Sequence, residues 1–523
     1  MIVRAASFTG SGPAASQAAS AAGAHSSPVG DLFRRQAGAS AGRVALEQDG
    51  RQWTYAELNA RVNRLAHVLA AMGVARGDRV AILSENRVEY VEVELAAAKL
   101  GAIAACQNWR QADPELEHCI RLVEPRLLIS SPRFEPVCER IQHCCPSRLV
   151  FGAAYEEALA RAGQDEPPGV AEAEDGLIIL YTSGTTGLPK GAIISHRAVV
   201  ARRRVNELDR PTAIDDAFVA WTPMYHMGAT DFVLGTLLQG GKVIVMDGFD
   251  PAALAKTIAK EQLGWLHVMP GTADRLVAEL HRSACRPRGL RYVGVMPDLV
   301  PKKKIAELTT LLDAPYPNTF GSTEAGAILS RGTIRVGVAP ERLPKEQSSL
   351  CEVRLVDESG NDVPDGAPGE LLVRSPALFS GYWGATPQDD DPFEDGWFHT
   401  GDVFVRNADA SFDFVDRRKY LIKSGGENIY PAEIERVLLA SPRIADAAVV
   451  RRADAQWGEV PVAFVVARDS ALTAADVMDV CRGKIAGYKL PKEVRLVADA
   501  DLPRSASGKV RRHELEALLK ATA

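Results

Sequence analysis

The sequence predicts an α/β fold, with a large N-terminal domain of mixed α/β sheets plus a β-rich subdomain, followed by a small α+β C-terminal domain. Helix-like and strand-like segments alternate through the N-terminal half, which is typical of layered α/β folds. After about Leu350 the pattern changes to short alternating strands separated by turn signals. The last hundred or so residues carry helices and strands of their own.

The N-terminal elements follow from apolar spacing. Apolar residues recur at helical intervals from Tyr55 to Met72, and Thr54 is suited to cap that helix. A second helix is expected from about Tyr90 to Leu100. Short apolar runs between such helices predict buried strands at Arg79–Leu83, Gly101–Ala105, Leu127–Ser130, Leu177–Tyr181, Lys242–Met246 and Leu290–Val293.

The remaining chain divides into a turn-rich part and a helical part. Turn signals occur at 358–361 and 364–366. Near the C-terminus we expect helices at Ala432–Leu439 and Ala474–Ala486, and strands at Ala447–Arg451 and Val460–Val466.

The domain boundaries follow from breaks in these patterns. The charged run Asp416–Lys419 interrupts the apolar pattern and predicts the boundary between an N-terminal domain at 29–418 and a C-terminal domain at 419–523. Residues 1–28 are rich in Ala, Ser and Gly, lack acidic residues and contain one Arg. A disordered tail is favoured there over a transit peptide because the segment has too few large apolar groups to offset its ordering entropy.

Composition excludes several classes of protein. A chain of 523 residues requires at least two cores, and 46% hydrophobic with 24% charged residues is typical of globular enzymes. The net charge of -6 disfavours nucleic acid as a partner, and no apolar run approaches the ~18 residues of a membrane span. Eight cysteines without paired CxxC spacing indicate reduced thiols in a cytoplasmic protein, and no metal is assigned to His143–Pro146.

Ten residues after a predicted strand carry phosphate-binding chemistry. Glycines let the backbone bring N–H groups close to an anion, hydroxyls add donors, and lysine adds positive charge. A flexible hairpin is the alternative, and the loop is not a Walker A motif because Gly191 follows the lysine. The residues of this loop with such chemistry are Thr182, Ser183, Gly184, Thr185, Thr186, Gly187 and Lys190.

This loop resembles the signature loop of the adenylate-forming superfamily, which includes acyl-CoA synthetases, peptide-synthetase adenylation domains and luciferases. The resemblance extends from about Asp31 to Leu519 and is closest in pattern to acid:CoA ligases. It implies ATP, Mg²⁺ and coenzyme A as co-substrates, a small carboxylic acid as the partner, and catalytic roles for Thr186 and Lys190. It also implies that the C-terminal domain is mobile, while the oligomeric state stays open between monomer and homodimer.

Further family elements follow in the expected order. In Phe320–Glu324 the resemblance implies that the Phe320 ring packs on adenine beside Gly321, that Thr323 holds the α-phosphate, and that Glu324 is the magnesium ligand. It likewise implies that Asp402 and Arg417 bind ribose. Lone Asp and Arg residues are usually solvated, so these assignments depend on the order of the motifs.

The C-terminal elements resemble those of the second half-reaction. The resemblance implies a hinge at Lys419, and a loop that enters the site for thioester formation, formed by Lys423, Gly425, Gly426 and Glu427. Lys509 matches the adenylation lysine, which stabilises the charge that develops as pyrophosphate leaves. A Gly-rich turn before a helix is the structural alternative for the loop, and both interpretations are compatible.

The acid and the acceptor are less clearly indicated. His226, Met227 and Gly228 resemble the acyl-pocket stretch, although a packed core histidine is equally expected. Free CoA is the favoured acceptor because the chain stops shortly after Lys509. A stand-alone adenylation enzyme that loads a carrier protein, and a degenerate AMP-binding homologue, remain alternatives. Aromatic, medium-chain, long-chain and alicyclic acids all stay open.

Two segments depart from the family pattern. The stretch at 294–298, which normally borders adenine and the acyl pocket, is several residues shorter than expected. The segment 332–349 lacks the expected Gly-Ser-x-Gly turn. Both departures predict a remodelled acyl pocket or a weakened activity.

Overall fold

The computed structural model describes residues 27–145, 147–183, 188–357, 359–385, 392–417, 422–429, 431–503, 510 and 512–521. Its helices are α1 (Val29–Ala39), α2 (Tyr55–Ala71), α3 (Val88–Leu100), α4 (Asp113–Val123), α5 (Glu135–Arg140), α6 (Ala153–Arg161), α7 (His196–Asp209), α8 (Met227–Gln239), α9 (Pro251–Lys260), α10 (Ala273–Arg282), α11 (Lys302–Leu312), α12 (Pro431–Leu439), α13 (Ala474–Cys481) and α14 (Arg512–Ala521). Within the described ranges, no helix is both long enough and apolar enough to span a lipid bilayer.

The strands divide into an N-terminal and a C-terminal set. Those before residue 300 are β1 (Val44–Gln48), β2 (Arg51–Thr54), β3 (Arg79–Leu83), β4 (Ile103–Cys106), β5 (Leu127–Ser130), β6 (Arg148–Val150), β7 (Gly176–Ser183), β8 (Pro189–Ser195), β9 (Ala217–Ala220), β10 (Lys242–Val245), β11 (Gln262–Leu266) and β12 (Gly289–Val293). The later ones are β13 (Tyr316–Pro317), β14 (Gly321–Ser322), β15 (Gly326–Ala327), β16 (Thr333–Ile334), β17 (Glu352–Val356), β18 (Pro368–Arg374), β19 (Phe393–Glu394), β20 (Trp397–Arg406), β21 (Phe412–Arg417), β22 (Ile422–Ser424), β23 (Glu427–Ile429), β24 (Ile444–Asp454), β25 (Gly458–Ala467) and β26 (Glu493–Val497).

Two six-stranded sheets form the N-terminal body. One has the order β6-β5-β3-β4-β7-β8 and the other β12-β11-β9-β10-β1-β2, and in each sheet only the strand at one edge, β8 or β2, runs antiparallel to its neighbour. Parallel strands covered by helices on both faces read as continuous apolar runs. Leu127–Ser130 is such a run, and all four of its residues are buried. The predicted α/β body is confirmed.

Helix α2 shows why the sequence signal was strong. The Thr54 hydroxyl accepts a hydrogen bond from the Glu57 backbone N–H, and the Glu57 carboxylate accepts one from the Thr54 backbone N–H at 2.8 Å. This capping box satisfies two donors that a helix start leaves unpaired. Leu58, Val62 and Leu65 then recur on one face and are fully buried.

The β-rich part and the C-terminal part each have a sheet of their own. Strands β17, β18, β20, β19 and β21 form an antiparallel sheet, and β23, β22, β25, β24 and β26 form a second one in which only β26 runs parallel. The second sheet encloses apolar clusters drawn entirely from residues 422–519. A separate core suits a separate C-terminal domain, but the boundary at 418/419 lies outside the described residues and stays a prediction.

One predicted helix is shorter than expected. The spacing predicts a helix over Ala474–Ala486, whereas α13 ends at Cys481. Arg482 is extended, and Gly483 has a φ of +70°, which is the left-handed conformation that ends helices. The chain after this break forms a short turn at Gly487–Lys489.

Candidate active site

The phosphate loop lies between two paired strands. Strands β7 and β8 are antiparallel, and their register places Thr182 opposite Lys190 and Ser183 opposite Pro189. The four residues 184–187, which include the predicted Gly184, Thr185, Thr186 and Gly187, lie outside the described residues. The strands therefore fix both ends of the loop at one edge of the sheet.

Lys190 and the predicted magnesium ligand Glu324 meet at Tyr382. The Lys190 ammonium lies 5.1 Å from the centre of the Tyr382 ring, and the Tyr382 hydroxyl donates to Glu324 Oε1 at 2.9 Å. The backbone around Tyr382 is fixed because the Trp383 N–H donates to the Gly191 carbonyl at 2.7 Å. Sequence reasoning missed Tyr382, although it stands in the aromatic pair that follows Gly381.

The turn that carries Thr323 and Glu324 is held by a buried arginine. Arg202 on α7 donates to the Thr323 carbonyl at 2.8 Å and pairs with Asp231 on α8 at 3.2 Å. The hairpin itself requires glycine at Gly321, since a Cβ there would lie 2.1 Å from a backbone carbonyl oxygen. Arg202 gave no signal in the sequence because its contacts lie far along the chain.

The predicted nucleoside-binding residues lie on neighbouring strands. The Phe320 ring packs edge-on against Phe404, with centroids 4.8 Å apart, and the Lys423 ammonium lies 5.5 Å from the Phe320 ring centre. Asp402 on β20 is buried and stands directly opposite Arg417 on β21 in the sheet register. The backbone of the predicted ribose-binding pair is therefore adjacent, while the Arg417 side chain is outside the described part of the structure.

The Gly425–Gly426 turn lies against the N-terminal body. It connects β22 to β23, and the two glycines have φ values of +57° and +89°. A Cβ on Gly426 would lie 2.5 Å from Met269 Cε and 3.4 Å from Met296 Cε. The positive φ favours glycine at both positions, and a Cβ on Gly426 would also require the end of the Met269 side chain to move.

Glu427 connects this turn to the predicted acyl pocket. Its Oε1 accepts hydrogen bonds from Arg110 at 3.1 Å and contacts His226 Nε2 at 3.2 Å. Burial raises the pKa of Glu427, but the opposing effects of His226 and Arg110 are larger and the net pKa is lowered. His226 precedes α8, whose first residues are Met227 and Gly228.

The two segments that depart from the family pattern meet in the structure. Lys345 is fully buried, and its ammonium donates to Asp298 Oδ2 at 2.5 Å and to Asn318 Oδ1 at 2.6 Å. The shortened turn is further held by Tyr316, whose hydroxyl donates to the Val295 carbonyl at 2.7 Å. The unusual 294–298 turn is thus supported by the unusual 332–349 segment.

Glu324 suits magnesium better than a transition metal. Mg²⁺ takes oxygen ligands and is bound through one or two carboxylates together with substrate phosphates and water. Elsewhere in the described chain, donor atoms of Glu117, His143 and Cys144 lie within 4.8 Å of one another. Burial raises the pKa of the Cys144 thiol, which opposes the thiolate form that metals require. No metal was assigned to His143 and Cys144 from sequence, and Glu117 is a neighbour that only the fold supplies.

Sequence comparison identifies the family. The model of the family described as AMP-binding enzyme matches residues 33–383, and that of the AMP-binding enzyme C-terminal domain matches residues 433–509. This chain belongs to the AMP-binding enzyme family. It is 35% identical over 510 residues to indoleacetate–CoA ligase of Aromatoleum aromaticum, covering 94% of this chain and 98% of the relative. It is 35% identical over 491 residues to feruloyl-CoA synthase of an Amycolatopsis species, covering 92% and 97%.

Solved structures of family members share the whole fold. A double mutant of o-succinylbenzoate CoA synthetase from Bacillus subtilis, bound to a product analogue, superposes with a TM-score of 0.83 at 26% identity, covering 94% of this chain and 98% of the other. The same enzyme in complex with its acyl-adenylate intermediate gives a TM-score of 0.68 at the same identity and coverage. Because both scores refer to one enzyme, its two structures differ from each other in overall arrangement.

Within this family, the relatives named above identify the reaction class. This chain is an ATP-dependent acid:CoA ligase. It forms an acyl-adenylate with release of pyrophosphate, then an acyl-CoA thioester with release of AMP. Its co-substrates are ATP, with Mg²⁺, and CoA. The predicted hinge Lys419 and adenylation lysine Lys509 lie outside the described residues.

Proposed function

We propose that this AMP-binding enzyme ligates an aromatic or arylalkanoic acid to CoA. The proposal is supported by the two relatives named above, an indoleacetate–CoA ligase and a feruloyl-CoA synthase, which this chain matches over nearly its whole length. The sequence alone left aromatic, aliphatic and alicyclic acids open. Two tryptophans in the wall of the candidate pocket favour the aromatic class.

The observation that carries the proposal is a cavity with two tryptophans in its wall. The cavity has a volume of about 200 Å³, and its lining combines Trp109, Trp221 and Pro223 with polar and charged residues, namely Asn86, Arg110, Arg133 and Asp247. Flat aromatic walls favour a flat aromatic ligand through offset or edge contacts.

Ring contacts continue from this cavity to His226. The Trp109 ring meets Tyr225 edge-on with centroids 6.1 Å apart, and Tyr225 lies 4.5 Å from the His226 ring. Arg110 and His226 also share Glu427. Two ring contacts therefore connect the cavity to His226, for which the sequence left an acyl-pocket wall and a packed core histidine equally open.

In this proposal the phosphate loop and the Tyr382 cluster bind the triphosphate. Lys190 and the loop donors would hold the β- and γ-phosphates, and Glu324, positioned by the Tyr382 hydroxyl, would hold Mg²⁺ beside them. Asp402 and Arg417 bind the ribose hydroxyls. Mg²⁺, when bound, supplies charge neutralisation on the phosphates.

The chemical step needs a cation and no general base. A carboxylate is ionised at neutral pH and attacks the α-phosphorus directly. Lys509 then stabilises the charge that develops on the α-phosphate as pyrophosphate leaves. The Gly425–Gly426 turn serves the second step, because glycines let an extended thiol chain pass close to the backbone.

We also propose a cytoplasmic location. All eight cysteines, at 106, 119, 138, 144, 145, 285, 351 and 481, are free. Eight cysteines without a disulfide are typical of a protein in a reducing compartment.

A substrate panel tests the proposal. Purified protein is incubated with ATP, Mg²⁺ and aromatic, arylalkanoic, medium-chain, long-chain or alicyclic acids, and AMP release is measured with and without CoA. We expect the highest kcat/KM for an aromatic or arylalkanoic acid, and AMP release that depends on CoA. A preference for aliphatic acids would overturn the substrate class. AMP release independent of CoA for every acid would favour a carrier-protein adenylation enzyme, and no release with any acid would favour a degenerate homologue.

A further inference from the structure

A second, fully buried contact joins the N-terminal body to the C-terminal part. Glu115 lies in the first turn of α4, and its Oε1 accepts from the Lys489 ammonium at 2.9 Å. Its Oε2 accepts from the Ala486 backbone N–H at 3.0 Å. Both side chains are nearly inaccessible, with 2% of Glu115 and 3% of Lys489 exposed.

A third charged residue completes this cluster. Glu433 in α12 lies 2.8 Å from the Lys489 ammonium and is also buried. Burial lowers the pKa of Lys489, yet the two carboxylates outweigh burial and the net pKa is raised. Lys489 is therefore a buried cation that needs carboxylates from two different parts of the chain.

Glu115 differs from Glu433 in where it stands. Glu433 and Lys489 both belong to the part of the chain that encloses its own core, so their contact is internal to that part. Glu115 instead approaches from the N-terminal body. The Glu115 contacts are consequently lost in any arrangement that moves the C-terminal part away from α4.

The present arrangement resembles one of two known for a relative. The synthetase bound to a product analogue superposes at a TM-score of 0.83, and the acyl-adenylate complex of the same enzyme superposes at 0.68. In the present arrangement the Gly426 turn lies against Met269 and Glu427 contacts His226. The Glu115 contacts accompany this placement of the turn.

We propose that Glu115 is a positioning residue for the thioester step, which holds the C-terminal part docked by binding Lys489 and the Ala486 N–H. The inference rests on the proposed role of the Gly425–Gly426 turn in that step. A buried lysine that loses one of its carboxylates has a lower free energy when it is hydrated. Removing the Glu115 charge therefore lowers the fraction of molecules in the docked arrangement. Adenylate formation does not use these contacts and is spared.

The choice of substitution follows from a second task of Glu115. Its Oε2 also accepts from the Ala112 N–H at 3.2 Å, which caps α4. Alanine would remove this cap together with the charge. Glu115→Gln keeps an amide oxygen for the two backbone donors and replaces the oxygen that accepts from Lys489 by an uncharged NH2 group.

The test measures the two half-reactions separately in the full-length protein. For Glu115→Gln we expect carboxylate-dependent pyrophosphate exchange within twofold of the unaltered protein, and single-turnover thioester formation from supplied acyl-adenylate and CoA slowed tenfold or more. Lys489→Met, which removes the other partner of the contact, should likewise slow thioester formation and spare pyrophosphate exchange. Glu117→Gln is the matched control, because Glu117 lies on the same helix and contacts His143 at the surface, and it should change neither step.

Each outcome decides one question. Equal loss of both half-reactions in Glu115→Gln, or no loss in either, would overturn the positioning role. A lowered melting temperature with both steps equally slowed would assign Glu115 a purely structural role and would overturn it too. If the unaltered protein forms no CoA thioester with any acid, the proposed function itself fails, whatever the variants do.

Discussion

Glu427 and His226 stand 201 positions apart in the sequence, and their side chains meet at 3.2 Å. One belongs to the turn that the family resemblance connects with thioester formation, and the other to the stretch that it connects with the acyl pocket. Their contact, shared with Arg110, brings the two predicted sites into one cleft. Because different residues of this cleft are assigned to adenylation and to thioester formation, substitutions should affect the two half-reactions separately.

Lys509→Ala should abolish adenylation and spare the second step. Losing one cation that stabilises transition-state charge costs on the order of 10²- to 10³-fold in rate. Pyrophosphate exchange should therefore fall by at least that factor, while thioester formation from supplied acyl-adenylate stays within a few-fold. Lys520→Ala in α14 provides the control. Equal loss of both steps would contradict separate elements for the two half-reactions.

Gly426→Ala should give the opposite result. The new Cβ would stand 2.5 Å from Met269 Cε, so the end of that side chain must move, and alanine at a φ of +89° strains the turn. We expect thioester formation from supplied acyl-adenylate to slow about tenfold or more, with pyrophosphate exchange retained. Gly483→Ala matches it in positive φ but has open space around it, and should leave both steps unchanged. A normal thioester rate in Gly426→Ala would remove the turn from the second step.

Tyr382→Phe should lower the affinity for Mg²⁺ and leave the fold unchanged. The substitution deletes the hydroxyl that donates to Glu324 Oε1 and leaves the ring under Lys190 in place. Loss of a hydrogen bond to a metal ligand typically lowers metal affinity about 10- to 100-fold. The Mg²⁺ concentration that gives half-maximal pyrophosphate exchange should rise accordingly. Tyr292→Phe is the control, and an unchanged Mg²⁺ dependence would argue against Glu324 as the metal ligand.

Glu94 should make stability fall as pH rises. Burial raises its pKa from 4.5 to about 8, so between these values the unfolded chain has lost the proton that the native carboxyl still binds. The free energy of unfolding therefore declines with pH across this window, by about 1.4 kcal/mol per unit from this group. Glu94→Gln should remove this contribution and become more stable than the unaltered protein at pH 8.

Urea unfolding at pH 5 and pH 8 measures the effect. The difference in free energy of unfolding between Glu94→Gln and the unaltered protein should grow with pH. Glu139→Gln replaces an exposed carboxylate and should show no such trend. A difference that is constant between pH 5 and pH 8 would show that Glu94 is ionised in the native state.

Much of the fold was readable from local sequence. The strands Arg79–Leu83 and Leu127–Ser130 begin and end where their apolar runs do, and the Thr54–Glu57 capping box starts α2 at the predicted residue. The end of α13 was missed because the positive φ of Gly483 overrides the helical spacing that continues beyond it. Periodicity reports which residues face a core, and a single backbone angle can end an element without disturbing that pattern.

The sequence by itself determined the reaction class, because the phosphate loop, the Phe320–Glu324 element and the Gly-rich turn are each contiguous and carry their chemistry in adjacent residues. Only the tertiary structure decided which distant groups complete them. Tyr382 reaches Glu324, Arg202 reaches the Thr323 carbonyl, and Glu115 reaches Lys489 across 374 positions. Such partners leave no local pattern, since a buried charge or hydroxyl is satisfied by whatever group the folded chain brings within about 3 Å.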